Sequence, residues 1–249
     1  MTDYKGIKGF TIQNVSSDPA NPIVGQIWYN STSGTLKAAV PGVGTWASGN
    51  DVNIGRGQVA GAGTQTAALL FGGINYTVTP GGQCALSETY DGTCWTEGND
   101  MNENRYGHGG CGVATAALAI TGYDPPARLT ECEAYNGTCW VEGNDVNVAR
   151  SDTAAAGTTT AAVLMAGNIP TPGGNDATET WNGTSWSVAT AAPANRVSMG
   201  GLGTSTAALC VSGYAHGAGS NTASVLKWNG SAWTETGDVN TARRGGAAS

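Results

Sequence analysis

Residues 135–150 read YNGTCWVEGNDVNVAR, and residues 90–105 read YDGTCWTEGNDMNENR. The pattern returns as WNGTSWSVATAAPANR from Trp181 and as WNGSAWTETGDVNTAR from Trp228. The starts at 90, 135, 181 and 228 give steps of 45, 46 and 47 residues. A further copy without its head, TWASGNDVNIGR, runs from Thr45 to Arg56. Self-similarity at such a period marks a repeat architecture, whose units bury their apolar faces only against one another.

Residues 150–195 show what one unit contains. RSDTAAAGTTTAAVLMAG begins with small residues and ends in the apolar run AAVLMAG, a buried strand stopped by Gly167. A loop of turn residues follows, NIPTPGGNDA, and then TETW and SWSVA, divided by Asn182-Gly183. Asn-Gly is a strong signal for a tight hairpin of type I′, and Asp91-Gly92, Asn136-Gly137 and Asn229-Gly230 stand at the same place. Each unit is therefore expected to hold four short antiparallel strands, a to d. Strand a is small in every copy: GQVAGAG, YGHGGCG, SDTAAAG, VSMGGLG and RGGAAS. Innermost strands crowded round an axis require small residues, while Trp46, Trp95, Trp140, Trp186 and Trp233 on strand d have room further out. Four-stranded units repeated radially make a β-propeller.

Strand a occurs five times, the last as RRGGAAS at the C-terminal end, and residues before about 50 supply the complementary strands. The expectation is an all-β fold, one five-bladed propeller over residues 1–249. The blades would cover approximately 1–51 plus 240–249, 52–101, 102–146, 147–192 and 193–239. Pairing the C-terminal strand with N-terminal strands would close the ring and remove exposed edges. GQIWYN (25–30) with TLKAAV (35–40) is the first choice for the N-terminal strands of the split blade, and FTIQNV (10–15) the alternative.

The order of arginine, small strand, apolar strand ending in glycine, variable loop, aromatic, hairpin and Trp resembles the kelch repeat. The double glycine of that family survives only as Gly72-Gly73, so the array is kelch-like. The stretch PANPIVGQIWYNSTSGTLKA and the NGTSWT-type hairpins look like segments of structural and tail-fibre proteins of marine bacteriophages, cyanophages especially. That resemblance implies a virion or adhesion role and binding of a host surface glycan or of another virion protein. Localisation would be the virion, after synthesis in the host cytoplasm. A stand-alone lectin or protein-interaction propeller is the second reading, and a glycan hydrolase or lyase the third.

Composition excludes several classes. Net charge is −7 with 11 basic residues, and five of these share one repeat position, which leaves no basic stripe for nucleic acid. No apolar run is long enough to insert in a membrane, and MTDYKGIKGF has no apolar core of a secretory signal. Six cysteines lack metal-site spacing. Because they exchange with Ala, Ser and Leu at repeat positions, free buried thiols are expected, with a Cys132–Cys139 bridge across one hairpin as the alternative.

Arg56, Arg105, Arg150, Arg196 and Arg243 recur at the start of strand a and are expected to ring one end of the central channel. Such a ring would suit an anion, but a residue present in every blade is first a scaffold residue, bonding loop carbonyls or an acid of its own repeat. Asp51, Asp100, Asp145 and Asp238, each followed two residues on by Asn, suit Asx-turns between blades; no metal site is expected of them. Glu88, Glu133 and Glu179 hold one equivalent place in three blades, too far apart for paired-carboxylate catalysis. Sialidase Asp-boxes are not matched, because Asp91 and Gly92 are adjacent. His108 and His216 are too few for kelch-type copper oxidases. No catalytic residue and no cofactor is expected. The variable b–c loops, on the same face as the arginines, carry Tyr76, Tyr123, Arg128, Tyr214 and His216 as candidate ligand-binding residues.

Overall fold

Alternation of short apolar strands with glycine-bearing turns leaves each repeat one folding solution, an antiparallel meander. A computed structural model of the chain describes residues 12–19, 26–38, 48–77, 81–170 and 175–246. It divides into two compact units, Met1–Ser48 and Gly49–Ser249. Every element among the described residues is a β-strand.

The larger unit contains four four-stranded antiparallel sheets. Strands a are Ala60–Thr64, Gly109–Val113, Ala154–Thr158 and Gly200–Thr204. Strands b are Ala67–Phe71, Ala116–Ile120, Ala161–Gly167 and Ala207–Val211. Strands c are Ser87–Tyr90, Cys132–Tyr135, Asn175–Trp181 and Val225–Trp228. Strands d are Trp95–Glu97, Trp140–Glu142, Trp186–Ala189 and Trp233–Thr236. Trp46 and the closing residues Ala247–Ser249 lie outside the described residues, and Arg243–Gly246 form no strand.

Strand a of each sheet packs beside strand a of the next, in chain order. The approach is close enough to dictate small residues. A Cβ on Gly110 would stand 2.6 Å from Ala60 Cβ, and one on Gly201 would stand 2.7 Å from the Ala155 carbonyl oxygen. The inner strands surround a cavity of about 400 Å³. Val59, His108, Thr153, Met199 and Gly246, each three residues after a repeated arginine, all line it.

Three apolar layers join successive sheets. Phe71, Leu69 and Met101 meet Ala119, Tyr135 and Trp140; Leu118, Ile120 and Cys132 meet Leu164, Trp181 and Trp186; Val163 and Met165 meet Cys210, Leu226 and Trp228. Burying each such large side chain stabilises by roughly 1.5–3 kcal/mol. The strand-d tryptophans also reach back to the preceding sheet. Trp140 Nε1 donates to Ser87 Oγ at 2.8 Å, and Trp233 Nε1 to Thr178 Oγ1 at 2.9 Å. In the first sheet the equivalent face, Leu70, Tyr90 and Trp95, is only half-buried.

The smaller unit does not follow the repeat. Ile27–Asn30 pairs antiparallel with Thr35–Ala38, joining the two segments of the first choice, but Gln13–Val15 pairs parallel with Ile27–Asn30. Segments 10–15, 25–30 and 35–40 thus share one sheet where alternatives had been expected, although Phe10, Thr11, Gly25, Ala39 and Val40 lie outside the described residues. Asp18 binds this sheet together, accepting from Lys37 Nζ at 2.6 Å, Asn30 Nδ2 at 2.8 Å and Trp28 Nε1 at 2.9 Å. These bonds, Lys37 foremost, hold its carboxyl below the usual carboxylate range.

The c–d turns also differ from expectation. The register pairs Tyr135 with Trp140 and Trp181 with Trp186, so four residues, not two, form each loop. The reason is the Asx side chain. Asn136 Oδ1 accepts the N–H groups of Thr138 and Cys139 at 3.0 Å each, and Asp91, Asn182 and Asn229 do the same in their turns. Asx-turn geometry therefore replaces the expected type I′ pair. The same register puts Cys132 opposite Gly143 and Cys139 opposite Asn136, at opposite ends of the hairpin. All six cysteines are free. Cys111, Cys132 and Cys210 are buried, Cys84 is half-buried, and Cys94 and Cys139 are exposed on the turns rather than in apolar slots.

Candidate functional site

Three of the five repeated arginines are buried, Arg105 and Arg150 at 0% exposure and Arg196 at 4%, while Arg56 is half-buried and Arg243 exposed. Arg56, Arg105 and Arg150 each meet the strand-c glutamate of their own repeat. Arg105 Nη2 stands 2.6 Å from Glu133 Oε1, Arg150 Nη2 stands 2.9 Å from Glu179 Oε1, and Arg56 pairs with Glu88. The other carboxylate oxygen serves the linking segment. Glu133 Oε2 accepts from the Asn102 N–H at 2.7 Å and Asn102 Nδ2 at 2.8 Å, and Asn53 and Asn147 bind Glu88 and Glu179 in the same way. Asn53, Asn102 and Asn147 of the D-x-N steps thus donate to these glutamates, where Asx-turns had been expected. Arg105 Nη1 also donates to the carbonyls of Thr121 and Glu131, at 3.0 and 2.8 Å. Burial alone would raise the Glu88 pKa, but the Asn53 N–H and the Arg56 guanidinium hold it below its ordinary value. Burial likewise pulls the Arg150 pKa down, against the opposing pull of Glu179. Side chains committed in this way make braces inside the sheets.

Two residues beyond each arginine the backbone turns left-handed. Gln58, Gly107, Asp152, Ser198 and Gly245 have φ of 52, 60, 54, 54 and 68°. Each N–H donates to the carbonyl of its predecessor: Gly107 to Gln58 at 3.0 Å, Asp152 to Gly107 at 2.5 Å, Ser198 to Asp152 at 2.9 Å, and Gly245 to Ser198 at 2.8 Å. Five equivalent positions thus form one hydrogen-bonded series, the fifth supplied by the C-terminal RRGG. The Gly213 N–H, donating to the Arg243 carbonyl at 2.9 Å, repeats the bonds of Gly73 to Arg105 and Gly122 to Arg150.

The b–c loops stand on this same face. Among the sequence-predicted residues, Tyr123 and Arg128 come together: the guanidinium lies over the Tyr123 ring at 5.5 Å, and their backbones pair in a small hairpin. Tyr214 and His216 meet edge-to-face at 5.4 Å, with Arg244 over Tyr214 at 5.2 Å. Tyr76 is 65% exposed and lines a cleft of about 240 Å³ with Tyr106 and Pro125. Residues 78–80 and 171–174 of the loops lie outside the described residues.

Tyr106 escaped the sequence reading because it opens a strand of small residues. Its signal is its position. The residue after the repeated arginine is Gly57, Ser151, Val197 or Arg244 elsewhere, so an aromatic ring there belongs to no scaffold rule. The Tyr106 ring packs edge-on against Tyr123 at 5.4 Å, and the two backbones are bridged. Asp152 lies in the same region, where burial raises its pKa against the opposing Ser151 hydroxyl and the more distant Arg128 charge. His108 faces the central cavity, packed on Phe71 at 5.4 Å; burial and then Arg105 hold its pKa at about 3, so its imidazole is neutral.

Among the described residues no group of three His, Cys, Asp or Glu is placed to hold a metal ion, and no helix is long and apolar enough to cross a membrane. No protein-family model matches the chain, and no curated protein matches it.

Proposed function

We propose that the chain is a kelch-like, five-bladed β-propeller serving as a non-enzymatic virion component, displayed on a phage tail or fibre, that binds a host surface glycan through its b–c loop face. Five blades are supported by the five left-handed positions in one hydrogen-bonded series and by the five equivalent residues round one cavity. They are also supported by the half-buried Leu70, Tyr90 and Trp95, whose equivalents in the other sheets are covered by a preceding sheet. The virion role rests on the resemblance of the N-terminal stretch and the hairpins to phage structural proteins.

The observation that carries the binding role is the contrast between the two ends of the sheets. One end repeats a fixed Asx-turn four times. The other carries Tyr76, Tyr123, Arg128, Tyr214 and His216 on loops that differ in every repeat, with Arg244 of the closing segment over Tyr214. Aromatic faces beside polar groups suit sugars, whose rings have an apolar face and hydroxyl edges. The repeated glutamates are consumed by the arginine braces, which weighs against a hydrolase built on them.

The test is adhesion to host cells or glycan-array binding, measured beside the melting temperature. Changing Tyr76, Tyr123 or Tyr214 to Ala is expected to lose binding with the fold intact. Changing Thr93, Thr138, Thr184 or Ser231 on the turn face is expected to leave binding unchanged. The converse pattern would put the binding face at the other end of the sheets.

A further inference from the structure

We infer that the cleft between the first two repeats, walled by Tyr76, Tyr106 and Pro125, is a subsite for one neutral hexopyranose ring. This rests on the glycan-binding proposal and assigns it a place and a sugar class.

Size comes first. About 240 Å³ lies under the roughly 300–1,000 Å³ typical of sites for drug-sized ligands, which leaves room for one ring and not for an oligosaccharide. Chemistry comes second. The walls are phenol, pyrrolidine and the aliphatic Ile74, and the polar groups are the carboxamides of Asn75 and Gln83. Asn75 Oδ1 is taken by the Thr77 N–H at 2.9 Å and the Thr77 hydroxyl at 2.6 Å, which leaves Nδ2 as the donor of that carboxamide. The Gln83 carboxamide makes no hydrogen bond among the described residues and offers both a donor and an acceptor. Among the described residues no charged side chain lines the cleft, and the chain carries net charge −7. Both features disfavour an acidic sugar and suit hydroxyl groups.

Preorganisation is the third point. An exposed tyrosine is ordinarily free to swing, but Tyr76 is held at the hydroxyl end of its ring. Gln58 Nε2 donates to its hydroxyl at 3.1 Å, and its ring lies against Gly57, where an added Cβ would stand 2.9 Å from Cε2. Tyr106 is braced from behind by Tyr123, which Arg128 covers in turn. Two aromatic walls fixed before the ligand arrives lower the ordering cost of binding. Gly57 is thus a positioning residue: any side chain there displaces the ring without touching ligand.

The experiment uses the full chain and free methyl glycosides of glucose, galactose and mannose, with a methyl uronide and a proline-rich decapeptide beside them. Binding is followed by saturation-transfer NMR and titration calorimetry. At least one neutral glycoside is expected to bind, with saturation reaching its ring protons from Tyr76 and Tyr106. Tyr76→Ala and Tyr106→Ala are each expected to weaken binding at least ten-fold. Gly57→Ala, which removes no wall, is expected to weaken it several-fold with an unchanged melting temperature. Preference for the uronide or the peptide overturns the assignment, as does binding of the neutral glycosides that survives both tyrosine changes. If array glycans still bind the Tyr76→Ala and Tyr106→Ala variants at full strength, the cleft is rejected while adhesion through the loop face stands. If no array glycan binds the unaltered protein but a free glycoside protects the two tyrosines, the subsite stands and the adhesion role falls.

Discussion

Glu133→Leu removes one charge from a pair that water does not reach: Glu133 is 1% exposed and Arg105 0%. Two sets of bonds go with it. Arg105 loses its carboxylate at 2.6 Å, and Asn102 loses the acceptor for both its N–H and its Nδ2. Breaking a buried ion pair from one side costs about 3–5 kcal/mol, chiefly because the remaining charge is stranded. For a chain of this length a loss of about 4 kcal/mol corresponds to a melting temperature lower by roughly 10 °C. Arg105→Met alone is expected to cost a similar amount, since it strands Glu133 and frees the carbonyls of Thr121 and Glu131. The pair Arg105→Met with Glu133→Leu leaves no unpaired charge, so its cost is expected to fall short of the sum by about 2–3 kcal/mol. The assay is urea unfolding followed by tryptophan fluorescence, run as a double-mutant cycle. A single change costing under about 1 kcal/mol, or a cycle that is additive, would refute the idea that these pairs brace the sheets.

Lowering the pH is expected to destabilise the protein through His108. Its folded pKa of about 3 lies below the ordinary 6.5, so the unfolded chain binds the extra proton between those values and stability falls as pH drops through that window. The loss at pH 5 is about 2 kcal/mol, and His108→Leu is expected to remove that part of the pH slope in pH-dependent unfolding curves. Deleting Arg243–Ser249 removes the bonds of Gly213 to Arg243 and of Gly245 to Ser198. The truncated chain is expected to melt lower by several degrees in calorimetry, and equal melting would refute a structural role for the C-terminal segment. Incubation with host polysaccharide is expected to release no reducing ends or unsaturated products; turnover abolished by a loop-face carboxylate change would establish an enzyme instead.

Much of the scaffold was legible in the sequence, because a repeat reports the same physical demand several times. Small strands a, apolar strands b and the tryptophans opening strands d each answer to one local constraint, crowding or room, and in four sheets each stands where the pattern put it, while Arg243–Gly246 form no fifth strand a. Bonds across distance were not legible. Nothing in the letters of Asn102 and Glu133, 31 residues apart, says that one side chain caps the other's link. The left-handed turns were hidden for another reason: Gln58 and Ser198 are not residues that ordinarily mark φ > 0, and the inter-sheet bonds impose it on them. The hairpin type was misread because Asn-Gly signals two turn geometries, and only the strand register separates them. In the loops Tyr76, Tyr123 and Tyr214 were identified as the variable aromatics, while Tyr106 was masked by the strand around it.

The fourth link shows why the braces behave as units. Where the other links carry Asn at 99 or 144 and Asn at 102 or 147, this one carries Thr190 and Pro193, and the strand-c glutamate gives way to Leu226. The asparagine and the glutamate that bond one another elsewhere have gone together. Leu226 is 1% exposed in the layer between the third and fourth sheets, packed with Cys210 and Trp228. A buried network with some members missing is worse than an apolar core, since each orphaned donor or acceptor carries its full desolvation penalty. Asn at 193 without a glutamate would leave its N–H unmet, and proline has no N–H to satisfy. Only Arg196 remains, and it turns to the Ser224 carbonyl at 2.8 Å and the Ser224 hydroxyl, uncharged partners that the backbone of the loop already holds in place. The arginine therefore has a duty separate from the ion pair: it caps the carbonyls at the end of the b–c loop, as Arg105 caps Thr121 and Glu131. Arg56 shares that duty, donating to the Gly72 carbonyl at 2.8 Å, so in three of the four sheets the arginine fixes the base of a variable loop, whereas the glutamate and asparagine are needed only together. The loop face is rigid at its roots by this capping and free to vary at its tips, which is the arrangement a binding surface on a repeating scaffold requires.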